Sequence, residues 1–555
     1  MTTFDDEKAV KKIDELKREE EEELALVLSK RHNVAYIDLS RRSIDTDGLR
    51  LIPEAEAKVA KVAIFELIGR KISLAVLSPN TDEVKKIVED LERKNYTVIM
   101  FMVSRASLER AWTRYKEISF ASETKAGVLD ISNEEIQKII SDVKSLEDVK
   151  ILIEDILKQK KSYKISRILE IILAGALSME ASDIHVEPEE SFVRLRYRLD
   201  GVLTDIIYID HETYNLLLSR IKLLSRLKLN VKSEAQDGRF SIKIGEDEIE
   251  IRTSILPGAY SESVVLRILN PKSIQVPMES LGMPDKIYKI LEHEIKKPNG
   301  MLLTTGPTGS GKTTTLYAFL RKVHSPEIKI ITIEDPIEYH LSGIVQTQVD
   351  HKDYTFAQGL RASLRQDPDV IMVGEIRDEE TAETAINAAL TGHFVLSTLH
   401  TNSAAGAFPR LLDLGINPKV ISSAVNVAMA QRLIRRLCPI CKKEVPIDTS
   451  KKEIILKKLS DLPEEIEVPQ AEKMWEAVGC DKCSGLGYKG RLGIFEIIMM
   501  SEKLNEVINQ NPSEVEIENA SREQGLPNMI QDGLIKVLNG TTTLEELSRV
   551  IDIGL

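Results

Sequence analysis

Residues Gly306-Pro307-Thr308-Gly309-Ser310-Gly311-Lys312-Thr313 follow the apolar run Met301-Leu302-Leu303 and lead into Thr314-Thr315-Leu316-Tyr317-Ala318. No other stretch constrains the fold as strongly, because this turn serves phosphate only when a strand enters it and a helix leaves it. The glycines let backbone N–H groups converge on phosphate oxygens where a Cβ would intrude. Lys312 places a cation against the β- and γ-phosphates, and the Thr313 hydroxyl is suited to hold Mg²⁺. The helix opened by Thr314 turns the positive end of its dipole toward the same charge. The alternative is a glycine-rich turn that binds nothing, and the strand-before, helix-after context argues against it. The expected ligand is a nucleoside triphosphate with Mg²⁺.

A P-loop alone implies binding; hydrolysis also needs a carboxylate to orient or activate water. Asp369-Val370-Ile371-Met372-Val373-Gly374-Glu375 is an apolar strand ending in an acid, with Gly374 at the usual aspartate position, so Glu375 is the expected catalytic carboxylate. A second strand, Ile330-Ile331-Thr332-Ile333, ends in Glu334-Asp335-Pro336-Ile337-Glu338. Acids clustered at a strand end repel one another unless a cation is near, which makes Glu334 and Glu338 candidates to support the metal; in isolation a solvated acidic turn is the default reading. His400, after the apolar run Leu396-Ser397-Thr398-Leu399, is placed to sense the γ-phosphate through a hydrogen bond, although a histidine at a strand end is more often structural.

All the cysteines fall into two Cys-x-x-Cys pairs, Cys438/Cys441 and Cys480/Cys483. Two such pairs complete a Cys₄ set for one tetrahedral ion, and structural zinc fits better than disulfides or unrelated buried thiols because no cysteine is left over. Four thiolates leave no open position for a catalytic zinc. The gap from Cys441 to Cys480 predicts a small helical insert.

A chain of 555 residues is too long for a single core. Its formal net charge of −13 argues against coating a nucleic-acid duplex, which needs a basic face. No signal peptide is expected from Met1-Thr2-Thr3-Phe4-Asp5-Asp6-Glu7, and no apolar run approaches the ~20 residues that span a bilayer. The pattern predicts an N-terminal docking domain over 1–115, whose first 30 residues, with the run Glu19–Glu23, read as a solvated helix or a partly disordered arm, a docking peptide being the sharper alternative. Strands are expected at 34–39 and 72–77 and an amphipathic helix at 81–94. A polar tether follows over 116–163, then a mixed domain over 164–275 that opens with a helix at 165–179 and continues in alternating strands. The parallel α/β core occupies 276–435, the cysteine module 436–490, and a mostly helical region 491–555.

Taken in order, these motifs resemble the ATPases of type II secretion and type IV pilus assembly, the GspE/PilB group. The signatures are Ala181-Ser182-Asp183-Ile184-His185-Val186-Glu187-Pro188, the P-loop, the acidic turn (the family's aspartate box) and Gly359-Leu360-Arg361-Ala362-Ser363-Leu364-Arg365-Gln366-Asp367-Pro368-Asp369. To these are added the strand ending at Glu375, a histidine box from Thr391-Gly392-His393 to His400-Thr401-Asn402, and the paired cysteines. The resemblance implies an α/β multidomain chain. A RecA-like ATPase core would be preceded by a PAS-like domain and a small N-terminal α/β domain, with a zinc module and a helical C-terminal region. It implies a cytoplasmic homohexamer, peripheral to the inner membrane, whose ATP hydrolysis drives a platform protein that extrudes pilin or pseudopilin. Arg239, Arg252 and Arg267 become candidates to face phosphate, Glu334 and Glu338 to tune metal and water, and His393 and His400 to link phosphate state to domain position. The chain departs from the family at Ala259-Tyr260-Ser261-Glu262 and lacks the N-terminal Arg-Leu-Gly motif, so cyclic di-GMP is not an expected ligand.

Two rival functions compete with a motor. A nucleic-acid translocase conflicts with the acidic balance and the two boxes. A non-hydrolysing scaffold conflicts with the intact Lys312, Thr313 and Glu375.

Overall fold

The computed structural model describes residues 20–554, apart from 43, 50, 118–121, 125–127, 131–138, 142, 159–163, 245–246, 271–274 and 351–352. The start of the expected charged helix and much of the expected tether lie outside the described residues. The chain divides into two units, Met1–Glu123 with Leu152–Ile171, and Thr124–Ile151 with Ile172–Leu555.

The first unit is built on a four-stranded sheet in the order Ala35–Tyr36, Thr97–Met102, Lys71–Val76, Val62–Ile68. The hairpin joining the last two turns at Gly69, whose φ of 61° is left-handed and open to glycine. Helix Asp82–Arg93 buries Val84 and Leu91 against Ile64, Leu74 and Val76. The glutamate run is not simply solvated. Glu22, on a helix over 20–32, accepts from Tyr36 Oη at 2.6 Å, Ser104 Oγ at 2.6 Å and Ser107 Oγ at 3.1 Å. Ser104 is also the N-cap of helix Arg105–Thr113, so this carboxylate sits at a helix N-terminus where negative charge is stabilised. The arm is thereby tied to the domain by a feature that composition does not reveal.

In the second unit lie seven strands of the mixed domain's eight-stranded sheet. Their order is Val128–Asp130, Gln236–Ile244, Asp247–Pro257, Glu262–Leu269, Asp183–Pro188, Val193–Leu199, Val202–Ile209. Alternate residues of Val193–Leu199 are buried, as period-two patterning requires. Behind them helix His211–Leu224 buries Lys222, whose amine pairs with Glu262 at 2.7 Å and donates to Val231 O at 2.8 Å. Glu262, part of the segment that departs from the family pattern, is thus a buried structural partner. Within the expected tether, Leu146–Leu157 is a helix with Val149 and Ile153 fully buried.

The nucleotide core is a seven-stranded sheet in the order Val345–Gln348, Ile330–Glu334, Val370–Val373, Phe394–Leu399, Gly300–Thr305, Val425–Leu437, Tyr488–Met499. The first six run parallel and the last antiparallel. Strands Gly300–Thr305, Ile330–Glu334, Val370–Val373 and Phe394–Leu399 are buried throughout, which explains why apolar residues dominate them. The cysteine module is an excursion between two strands of this same sheet, because Leu437 pairs with Tyr488 and Val427 with Met499. The C-terminal region therefore begins with a strand and becomes helical only from Glu502.

Helix Met529–Leu538 is anchored to that last strand by a buried ion pair. Lys536 Nζ lies 2.5 Å from Asp532 Oδ2 and 2.8 Å from Gly493 O, and Phe495 N donates to the same carboxylate oxygen at 2.8 Å. Removing one partner strands a buried charge, so Asp532→Ala is expected to destabilise this unit by about 3–5 kcal/mol in chemical denaturation. A loss below about 1 kcal/mol would show that Lys536 finds another acceptor or sheds its proton without strain.

Candidate active site

Parallel strands place their C-terminal ends on one edge of the sheet, and the chemistry collects there. The P-loop leaves Gly300–Thr305, Glu334 ends Ile330–Glu334, Glu375 follows Val370–Val373, and His400 follows Phe394–Leu399. All of these residues, the P-loop from Thr308 to Thr314 included, line one cavity of about 470 Å³.

The loop's glycines are required by its geometry. Gly306 has φ 147°, and a Cβ there would meet Gln431 O and Ser310 Oγ at 2.6 Å. Gly311, with φ 91°, is the N-cap of helix Lys312–Val323 and would press a Cβ to 2.8 Å from Gln431 Nε2. Gln431 also accepts from Thr315 Oγ1 at 2.8 Å, so a strand far along the chain braces the loop from below. Lys312 Nζ folds back on Gly306 O at 2.6 Å and Pro307 O at 3.2 Å. Burial holds its amine below the usual lysine range, against the upward pull of Glu375. A triphosphate would supply an anionic partner for this half-buried cation.

Glu375 is held between two cationic or potentially cationic groups. Arg377 Nη2 lies 2.6 Å from Oε1 and His400 Nε2 lies 3.1 Å from Oε2, with the carboxylate side chain 12% exposed. The backbone around it is pinned by Ile376 N to Thr398 O at 3.0 Å and Thr398 Oγ1 to Gly374 O at 2.8 Å. Glu334 is buried at the strand end. It accepts from Thr332 Oγ1 at 2.5 Å, Gln346 Nε2 at 3.0 Å and the Tyr317 hydroxyl.

The three candidate arginines form a cross-strand row, Arg239 opposite Arg252 and Arg252 opposite Arg267. Like charges in register repel, and acids are interleaved among them. Glu250 lies 3.6 Å from Arg239 and 3.2 Å from Arg252, Glu338 lies 3.5 Å from Arg252, and Asp183 lies 3.0 Å from Arg267. Arg252 also donates to Ile337 O at 3.0 Å, tying the acidic turn to the mixed domain. Arg267 lines the P-loop cavity; Arg239 and Arg252 line a larger adjoining one of about 1360 Å³.

His393 does not join this group. It precedes strand Phe394–Leu399, its Nδ1 lies 3.0 Å from Ala388 O, and six residues of strand separate it from His400. At about 3.3 Å per residue that is roughly 20 Å, which puts His393 at the sheet edge away from the P-loop. Conversely, Arg377 was missed by sequence reasoning although it stands two residues from Glu375. A cation so close to the candidate acid was the available signal.

The four cysteines converge. Sγ–Sγ distances are 3.9 Å for Cys438–Cys480, 3.7 Å for Cys441–Cys483 and 3.8 Å for Cys480–Cys483, and all four sulfurs lie within 4.8 Å of one another. Thiolates about 2.3 Å from a tetrahedral ion stand about 3.8 Å apart, so the spacing fits one zinc. Cys480 N and Gly487 N each point at Cys483 Sγ at 3.2 Å, as expected of donors to a thiolate. Between the pairs lie a hairpin, Lys443–Pro446 with Lys473–Glu476, and helix Thr449–Leu459.

A RecA-like core, a complete P-loop and a carboxylate at the facing strand end define a P-loop ATPase. The chain belongs to the family described as "Type II/IV secretion system protein", whose profile matches residues 158–549. Among similar proteins, the type II secretion system protein E of Pseudomonas aeruginosa is 46% identical over 398 residues, 72% of this chain and 77% of that one. The type II secretion system protein E of Dickeya dadantii is 38% identical over 520 residues, 92% of this chain and 99% of its own. The type IV pilus assembly ATPase PilB of Myxococcus xanthus is 36% identical over 535 residues, 95% and 91% of the two chains. Among the described residues no helix is long and apolar enough to cross a membrane.

Proposed function

We propose that this chain is a homohexameric motor, working at the cytoplasmic face of the inner membrane, that hydrolyses ATP to drive assembly of a type IV pilus or type II secretion pseudopilus through a membrane platform protein. The observation that carries the hydrolytic half is Glu375, fixed by Arg377 and His400 in the same cavity as the P-loop. Lys312 and the loop N–H groups bind the β- and γ-phosphates, and Thr313 would hold Mg²⁺, which supplies charge neutralisation at the transferring phosphoryl group. Glu375 orients the attacking water and takes up its proton demand. Glu334 and Glu338 tune metal and water, and His400, bonded to Glu375, senses the phosphate state. Arg267 is the arginine best placed to reach phosphate, and exchanging Asp183 for a phosphate oxygen is the rearrangement this requires. Zinc in the Cys₄ cluster has a structural role only.

Transport and the ring are supported by the similarity to secretion and pilus assembly ATPases. The test is Mg²⁺-dependent ATP turnover of the purified chain across a range of protein concentrations. Turnover per subunit that rises with concentration is the expected result for sites completed by assembly. Concentration-independent turnover by a monomer would overturn the ring reading and leave the ATPase intact.

A further inference from the structure

Tyr317 stands one helical turn beyond Thr313, on the helix that leaves the P-loop, and its side chain is fully buried. A buried tyrosine needs a partner for its hydroxyl, and here that partner is Glu334 at the end of strand Ile330–Glu334. The ring packs edge-on against Tyr339, at 4.8 Å and 76°, on the far side of the acidic turn. Gln346 closes the cluster, donating to Glu334 Oε1 at 3.0 Å and to Tyr339 O at 3.1 Å and accepting from Leu341 N at 2.7 Å.

We infer that Tyr317 is a positioning residue for the reaction: its hydroxyl fixes the Glu334 carboxylate relative to the P-loop helix, so that Thr313 and Glu334 face the metal as one rigid unit. The inference rests on the reading of Glu334 given above. Glu334 Oε2 is held by Tyr317 from the P-loop helix, while Oε1 is held by Thr332 and Gln346 from the sheet. The carboxylate therefore bridges the two elements that must agree in position when Mg²⁺ and triphosphate enter. Ring packing alone would have been met by phenylalanine; the hydroxyl is the part of the residue that this geometry uses.

The test compares wild type, Tyr317→Phe, Glu334→Gln and the double variant as full-length chains. ATP affinity, turnover number and the Mg²⁺ concentration for half-maximal turnover are measured separately. For Tyr317→Phe, turnover is expected to fall about tenfold, the Mg²⁺ requirement to rise several-fold, and ATP affinity to stay within about twofold, since the loop itself is intact. The double variant should be no worse than Glu334→Gln, because the two act through one contact. Wild-type turnover and Mg²⁺ demand in Tyr317→Phe would overturn the inference while leaving Glu334 in place. So would a loss that follows ATP affinity and the folded fraction seen by circular dichroism, which marks a packing role. Full activity in Glu334→Gln would overturn the reading of Glu334, and the inference with it.

Discussion

Glu375→Gln is expected to bind ATP as the parent does and to turn it over about a thousandfold more slowly, within the range for losing a positioned base. That corresponds to about 4 kcal/mol of transition-state stabilisation. The substitution keeps the shape and one acceptor oxygen for Arg377, while the amide NH2 takes the position of the oxygen that faces His400. What it removes is the negative charge that draws a proton from water. Binding should hold or tighten slightly, because the γ-phosphate no longer faces a like charge. Single-turnover hydrolysis alongside fluorescent-nucleotide titration separates the two quantities. Lys312→Ala provides the contrast, since its loss should appear in binding first. Turnover within about threefold of the parent would transfer the catalytic role to another acid of the same cavity, Glu334, Asp335 or Glu338.

The second large effect is expected from the cysteine cluster. Protein kept reduced should contain about one zinc per chain, and Cys480→Ser should lose it. Zinc-finger peptides draw about 10–16 kcal/mol of apparent folding free energy from their metal, so the module over 436–490 should melt locally in the variant. The damage should not stop there. The module is bounded by two strands that pair with each other, Leu437 opposite Tyr488, and that run lies at the edge of the ATPase sheet. Chelation is therefore expected to lower both the thermal midpoint and ATP turnover, with hydrogen exchange rising first around Cys438 and Gly487. Metal analysis showing less than about half a zinc per chain would count against the site. Unchanged turnover after complete metal removal would show that the module and the sheet edge are energetically separate.

Much of the site could be read from the chain because its chemistry is local. Only a run such as Gly306 to Thr313 supplies left-handed backbone at Gly309 and Gly311 beside a lysine and a hydroxyl. The strand ending at Glu375 was visible because a strand buried on both faces must be apolar along its whole length. The cysteine pairs were visible because chelation restricts spacing. Other features were hidden because they depend on residues distant in sequence. Gln431 bracing the P-loop, Glu22 docked on Ser104 and Ser107, and Tyr317 holding Glu334 each join segments through side-chain hydrogen bonds with no spacing rule. His393 and His400 look equivalent in a motif, yet a strand between them sends them to opposite edges of the sheet.

The sequence by itself determined that this chain binds and hydrolyses a nucleotide and carries a four-thiol cluster, since phosphate cradles and metal sets are written within a few residues by backbone and ligand chemistry. Only the tertiary structure decided which acids, arginines and histidines share the cavity, and that strands Val425–Leu437 and Tyr488–Met499 close the sheet around the inserted module. Those pairings are settled by burial and register across long stretches of chain, where each hydrogen bond or ion pair is a modest free-energy difference that no local pattern encodes.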